Sequence, residues 1–250
     1  MPYGMYLSAE GAQAQAQRLE VLSNNLANVD TPGFKRQLAV FRARYAEETE
    51  RGLDFPGSGS INDVGGGIYA QLTKTDFSAG PVQRSGIPTD LAIAGDGFFM
   101  IEKDGEKFVT RAGDFRTTTD GRLVTRQGHA VLNTAGVGIT FDPDGGPVGF
   151  MADGGVTQSG VRTGQDIAVV LPESLERLQH AGGNLFRLQG EAAPVTGRRF
   201  ATESLEMSGV KPALEMMELT ETSRMFEANV SMIRYQDQML AALVNRALRV

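Results

Sequence analysis

At 250 residues with 41% apolar content, the chain can build one large domain, or a small domain with an appended element. The complete absence of cysteine excludes disulfides, thiolate nucleophiles and cysteine-based metal sites. A net charge of −6 without long like-charge runs argues against nucleic acid as a partner, because such binding is built from clustered lysine and arginine.

The start, Met1-Pro2-Tyr3-Gly4-Met5, lacks the basic and apolar regions of a secretory signal. No apolar run approaches the roughly 18 residues of a transmembrane helix. The chain is therefore expected not to span a membrane and to leave the cytoplasm, if it does, without a cleavable signal.

The first element predicted is a helix over residues 5–28, where Met5, Ala9, Ala12, Ala16, Leu19, Leu22, Leu26 and Val29 recur at steps of three and four. Between Tyr3 and Asn28 the only charges are Glu10, Arg18 and Glu20, so this helix is expected to be surrounded by protein. Asn28-Val29-Asp30-Thr31-Pro32-Gly33 ends it, since Pro32 disfavours helical geometry at Thr31. Residues 34–50 fit a short helical or extended piece. Residues 52–67 read as a Gly/Ser/Pro-rich excursion whose apolar anchors would be Leu53, Phe55 and Ile61.

From Ile68 to Leu188 the pattern is short β runs. Asp104-Gly105 and Asp120-Gly121 mark hairpins. Further strands are expected at 130–132, 138–141, 148–150, 167–171 and 185–188.

After Pro212 a second helix is predicted to residue 248, with an apolar seam at Met216, Leu219, Phe226, Val230, Ile233, Leu240 and Val244, interrupted by Ser223 and Asp237. Met225, Met232 and Met239 form another stripe at seven-residue spacing. Early acids (Glu215, Glu218, Glu221) and late arginines (Arg246, Arg249) complement one continuous helix. Neither terminal helix can bury its apolar face alone. They must pack on each other, on copies of the chain or on a partner, which points to an assembly subunit.

No catalytic constellation is legible. His129 and His180 lie apart without ligand spacing, Asp142-Pro143-Asp144-Gly145-Gly146 lacks the far glutamate of a calcium loop, and no glycine loop carries a phosphate-cradling Lys-Ser/Thr. No cofactor, metal, small-molecule substrate or enzymatic activity is expected. The methionine stripe fits packing better than a promiscuous peptide groove.

The run Leu22-Ser23-Asn24-Asn25-Leu26-Ala27-Asn28-Val29-Asp30-Thr31-Pro32-Gly33-Phe34-Lys35-Arg36 resembles the N-terminal signature of bacterial flagellar rod and hook proteins. Asp90–Phe99, Thr110–Phe115, Gly121–Thr125, Gly183–Phe186 and the C-terminal helix resemble further motifs of that family. Gly209 stands where the family usually has Asn. The 250-residue length, Ser208–Pro212 and the Leu248-Arg249-Val250 ending resemble the proximal-rod branch, while Gln236–Leu240 resembles the distal-rod branch; the balance favours the proximal.

The resemblance implies an α+β fold in which the N- and C-terminal helices pack together as a coiled-coil-like tube domain (1–33 and 208–250). A connector (34–80 and 189–207) would lead to an inserted, outer all-β domain (81–188). It implies subunit packing through Ala9, Ala12, Ala16, Leu19, Leu22 and Leu26 and through the α-helical seams named above. Ser23, Asn24, Asn25, Ala27, Asn28, Thr31, Gly33 and Phe34 would be its family motif. Expected partners are other rod subunits, copies of the chain and the flagellar type III export apparatus, at the basal body. A reading from a different class is a free-standing β module that binds carbohydrate or peptide, dimerised by its helices.

Overall fold

A computed structural model describes residues 3–45, 67–190, 192–195 and 199–247, together with 49, 51–53, 55 and 65. Most of the 52–67 excursion, Ile61 included, and the Leu248-Arg249-Val250 ending lie outside the described residues, whereas Leu53 and Phe55 are largely exposed. The fold is α+β: an N-terminal helix α1 (Tyr3–Ala27), a β-rich middle, and a C-terminal helix α2 (Pro212–Ala247). The chain forms two compact units, one of residues 1–27, 37–76 and 211–250, the other of residues 28–36 and 77–210.

In the first unit α1 packs against α2 and against an antiparallel ribbon of β1 (Gln37–Arg44) and β2 (Gly67–Thr75). The segment 34–50, open between helix and strand from sequence, thus supplies β1. Its alternation is the two-residue period of a half-covered strand: Gln37, Ala39 and Phe41 are half-buried, while Leu38, Val40, Arg42 and Arg44 are exposed. The register slips at a bulge between Val40 and Phe41. Helix α2 opens at Pro212, where a missing N–H costs nothing, and carries Glu215 in its first turn and Arg246 in its last. α1 has no such charges at either end, so its ends rely on packing.

The second unit is built on an antiparallel sheet whose neighbours run 178–180, 185–188, 106–110, 98–103, 130–131, 123–125 and 115–117, with 169–172 joining beside 98–103 and carrying 192–194. The Asp104-Gly105 turn works as expected: both residues have positive φ (53° and 80°), the geometry a two-residue hairpin demands. Successive side chains of 98–103 serve opposite faces. Phe99 and Ile101 enter a core with Leu91, Leu123, Val131, Ile139 and Ile167, whereas Phe98 joins Val109, Val170, Leu178 and Phe186 on the other side. Edge-to-face rings lock each layer, Phe99 on Phe115 at 5.1 Å and Phe77 on Phe186 at 5.2 Å.

The expected domain boundaries and these units divide the chain differently. Residues 28–33, expected with the helices, lie in the β unit. Of the expected 34–80 connector, 37–76 lies with the helices. The reason is a set of anchors in 28–36 described below.

Asp114 pairs across an isolated bridge with Asp90. Burial raises its pKa above the usual carboxylate range; its own backbone N–H and Arg126 pull it back, and Asp90 pushes it further up. The folded pKa therefore lies above the unfolded one. The stability this group contributes is complete below the unfolded pKa and is lost as pH rises through the folded value. Asp114→Asn, which cannot ionise, is expected to melt above the parent at pH 7 and close to it near pH 3. Thermal unfolding at both values measures this, and a pH-independent difference would uncouple the ionisation from folding.

Candidate assembly surface

The contact between α1 and α2 is polar at its innermost column. Asn25, fully buried, pairs with the backbone of β1 as a strand would: Gln37 N–H donates to its Oδ1 at 2.9 Å and its Nδ2 donates to Gln37 O at 2.8 Å. The second Nδ2 hydrogen goes to Glu215 Oε2 on α2 at 3.3 Å, and Glu215 is only 1% exposed. One amide thus fastens α1, β1 and α2, with both N–H donors and its oxygen engaged.

Toward the other end of α1, Asn229 and Gln236 lie over Gly11 and Gly4. A Cβ on Gly4 would come within 2.8 Å of Gln236 Nε2, and one on Gly11 within 3.1 Å of Asn229 Oδ1. Positions that ascend by seven in α1 meet positions that descend by seven in α2, so the helices run antiparallel. Thr222, also 1% exposed, completes the column and turns its hydroxyl to the Glu218 carbonyl (2.7 Å). The Arg18–Glu218 pair at 3.5 Å is about a third exposed on both sides and contributes at most about 1 kcal/mol.

The predicted packing residues distribute around this column. On α1, Ala12 and Leu22 are buried, Leu19 and Leu26 half-buried, and Ala9 and Ala16 exposed. On α2, Leu219, Phe226, Val230, Ile233 and Leu240 are half-buried, and Met216 and Val244 are each 55% exposed. Met225, Met232 and Met239 are exposed, as are Met217, Tyr235 and Leu243. The subunit therefore leaves a methionine-rich apolar face uncovered along α2.

Within the β unit, residues 28–36 are held by a buried ionic cluster. The Glu206 carboxylate accepts Lys35 Nζ at 2.7 Å, Gly80 N–H at 2.9 Å and Arg111 Nη1 at 3.3 Å. The Lys35, Arg111 and Glu206 side chains are 1%, 6% and 3% exposed. Lys35 also donates to Ser78 O, and Arg111 to Gly95 O while lying over the Phe98 ring. Burial pulls the Arg111 pKa below its ordinary value, with Glu206 and Asp96 opposing that shift.

Beside the cluster, Gly33 N–H donates to Glu206 O at 2.7 Å and Asn184 Nδ2 to Pro32 O at 2.6 Å. Gly33 has φ 67°, and a Cβ there would collide with the backbone of Arg111 and Ala112. Only glycine fits this position, on both counts. Gly209 needs no such freedom: its φ is not positive and a Cβ would meet open space.

Three known families match the chain in succession: Flagella basal body rod protein over residues 5–35, Flagellar hook protein FlgE/F/G D1 domain over 92–158, and Flagellar basal body rod FlgEFG protein C-terminal over 201–246. The flagellar basal-body rod protein FlgF of Caulobacter vibrioides is 34% identical over 248 residues, covering 98% of both chains. The chain belongs to the flagellar basal-body rod protein family. The rod protein FlgG of Bacillus subtilis is 31% identical over 96% of this chain and 97% of its own, and a Mesorhizobium japonicum FlgF is 28% identical over 94% and 93%.

In this rod-family chain the motif residues split by direction. Asn25, Gly33 and Phe34 are buried, Asn28 and Thr31 are half-buried and bonded to each other (3.2 Å), and Ser23, Asn24 and Ala27 are exposed. Asn25 and Gly33 thus have intramolecular work. Sequence reasoning missed Glu215, Thr222, Arg111 and Glu206 as structural nodes. Glu215 and Thr222 had a usable signal, their seven-residue spacing with Asn229 and Gln236; Glu206 had none.

Lys35→Met is expected to destabilise the β unit by about 3–5 kcal/mol, because it leaves the buried Glu206 carboxylate short of its closest cation. Urea unfolding reads this, and a loss below about 1 kcal/mol would rank the pair with surface salt bridges.

Proposed function

We propose that the chain is a structural subunit of the flagellar basal-body rod that polymerises through its terminal helices into a hollow shaft carrying torque toward the hook, without catalytic turnover. One observation carries this reading: the uncovered apolar face of α2, with Met217, Met225, Met232, Tyr235, Met239 and Leu243 each at least 41% exposed. Monomeric proteins rarely tolerate so long an apolar stripe, and burial at ~25 cal/mol per Å² is the natural drive for packing several helices side by side.

The length mismatch supports the same reading. α2 has 36 residues and α1 has 25, so α2 projects roughly 16 Å past its partner at 1.5 Å per residue. The projecting stretch is apolar and is suited to another chain. Partners in this proposal are copies of the chain and other rod subunits, packed through the terminal helices as a coiled-coil-like tube wall. Delivery would be through the flagellar type III export apparatus. We place the chain in the proximal rod, on its 34% identity to a FlgF relative across 98% of both chains. The carbohydrate- or peptide-binding alternative finds no support among the relatives.

Met232→Glu combined with Met239→Glu is the direct test. Both side chains are more than half exposed, so the monomer is expected to keep its far-ultraviolet circular dichroism and melting temperature. Incorporation into basal bodies, and motility, are expected to fail, since a desolvated unpaired charge costs several kcal/mol. Normal incorporation would remove the α2 face from the assembly.

A further inference from the structure

The α1–α2 contacts repeat. Gly4 meets Gln236, Gly11 meets Asn229 seven residues on, and Asn25 meets Glu215 two heptads further, all in the same heptad phase. Seven residues span about 10.5 Å of helix, close to two full turns. Moving α2 by one heptad toward its own N-terminus would therefore set Gln236 over Gly11, Asn229 beside Arg18 and Thr222 beside Asn25. Each new neighbour is again a polar side chain over glycine or over a polar partner. The same move brings Leu243 level with Gly4 and covers part of the projecting end, where Met239, Leu243 and Val244 are 55–63% exposed.

The opposite displacement is closed. It demands about 10 Å more reach from residues 207–211, which already run without helix. The open direction requires only that residues 212–218 unwind.

Beside the helical bonds that unwinding 212–218 would break, the Asn25–Glu215 contact resists that move. In the observed register both residues are buried, and the carboxylate receives a charge-assisted hydrogen bond. In the shifted register Glu215 belongs to the unwound segment and returns to water, while Asn25 faces the Thr222 hydroxyl. A single buried polar contact at one heptad position is a known means of fixing register where the other positions do not discriminate.

We propose that α1 and α2 have two registers one heptad apart, and that the Asn25–Glu215 hydrogen bond selects the observed one. The device is a two-state helix pair whose setting decides how much of the apolar end of α2 stays free.

The chain contains no cysteine, so introduced pairs report alone. Gly11→Cys with Asn229→Cys reports the observed register. Gly11→Cys with Gln236→Cys reports the shifted one, because in the observed register these residues lie a heptad apart, beyond disulfide reach. With the full chain oxidised and its cross-linked peptides quantified, the parent is expected to form only the first disulfide.

Adding Asn25→Ala is expected to raise the shifted disulfide at least about tenfold, the factor that one buried charge-assisted hydrogen bond commands. Adding Glu215→Leu on top is expected to return it to the parent level, since no buried charge remains to be relieved. Plain loosening of the helix pair could not produce that rescue. The proposal is overturned if Asn25→Ala leaves the shifted disulfide at background, if both disulfides disappear together, or if Glu215→Leu fails to suppress the shifted one.

Discussion

The Glu206 carboxylate is the constraint on which the β unit's use of the chain depends. It is buried, and it gathers three stretches far apart in sequence: Lys35 from 28–36, Gly80 from 77–81, and Arg111 from the strand end at 110–112. Removing a carboxylate from water costs several kcal/mol, repaid only when geometry and hydrogen bonding are nearly complete. Two cations and a backbone N–H within 3.3 Å meet that condition. Because the penalty returns in full if any member leaves, the cluster permits little drift, and Gly33, packed on the Arg111 and Ala112 backbone, is held with it. Residues 28–36 therefore belong to the β unit although they directly follow a helix.

The helical unit applies the same logic by admitting polar residues to the contact between its helices. A water-soluble helical hairpin puts its apolar stripe between the helices and its polar residues outside. Here Glu215, Thr222, Asn229 and Gln236 line the inner column, while Met217, Met225, Met232 and Met239 face out. The inner column sets direction and depth of pairing, because hydrogen bonds are directional, and in the proposed assembly the outer stripe would supply the non-directional drive for association. Under that proposal, specificity within the subunit and adhesion between subunits fall to different faces of one helix.

The polar residues in that contact explain which parts of the structure the sequence discloses. The two helices were legible from their three-and-four periodicity, and the Asp104-Gly105 hairpin from its turn chemistry, since both signals are local. The strand at 98–103 was legible as well, although its assignment to two cores, Phe98 on one and Phe99 on the other, follows only from the paired sheet. The expected apolar seam on α2 is offset from the innermost column, because periodicity locates hydrophobic stripes and treats a polar heptad as the wet side. Glycines at 4 and 11, matched to the seven-residue spacing of Asn229 and Gln236, carried the missing information. Lys35 stood out only as part of a motif. Nothing local marks Glu206 as its partner, since 170 residues separate them and the pairing exists only once the β unit has closed.

The torque-carrying role proposed for this chain asks for more than a high total stability. Apolar burial resists separation of surfaces but tolerates sliding, since one methyl replaces another at small cost, whereas a buried ion pair or a bidentate amide loses most of its energy within an ångström of displacement. This chain places contacts of the second kind at Asn25 and at Lys35–Glu206–Arg111, ten residues apart along the segment that leads from α1 into the β unit. Between them lies Pro32-Gly33, fixed by Asn184 and by the close backbone approach at Gly33. The motif shared with the rod family is thus concentrated on the stretch of chain that these directional contacts hold in place, and its buried members, Asn25, Gly33 and Phe34, act inside the chain that carries them.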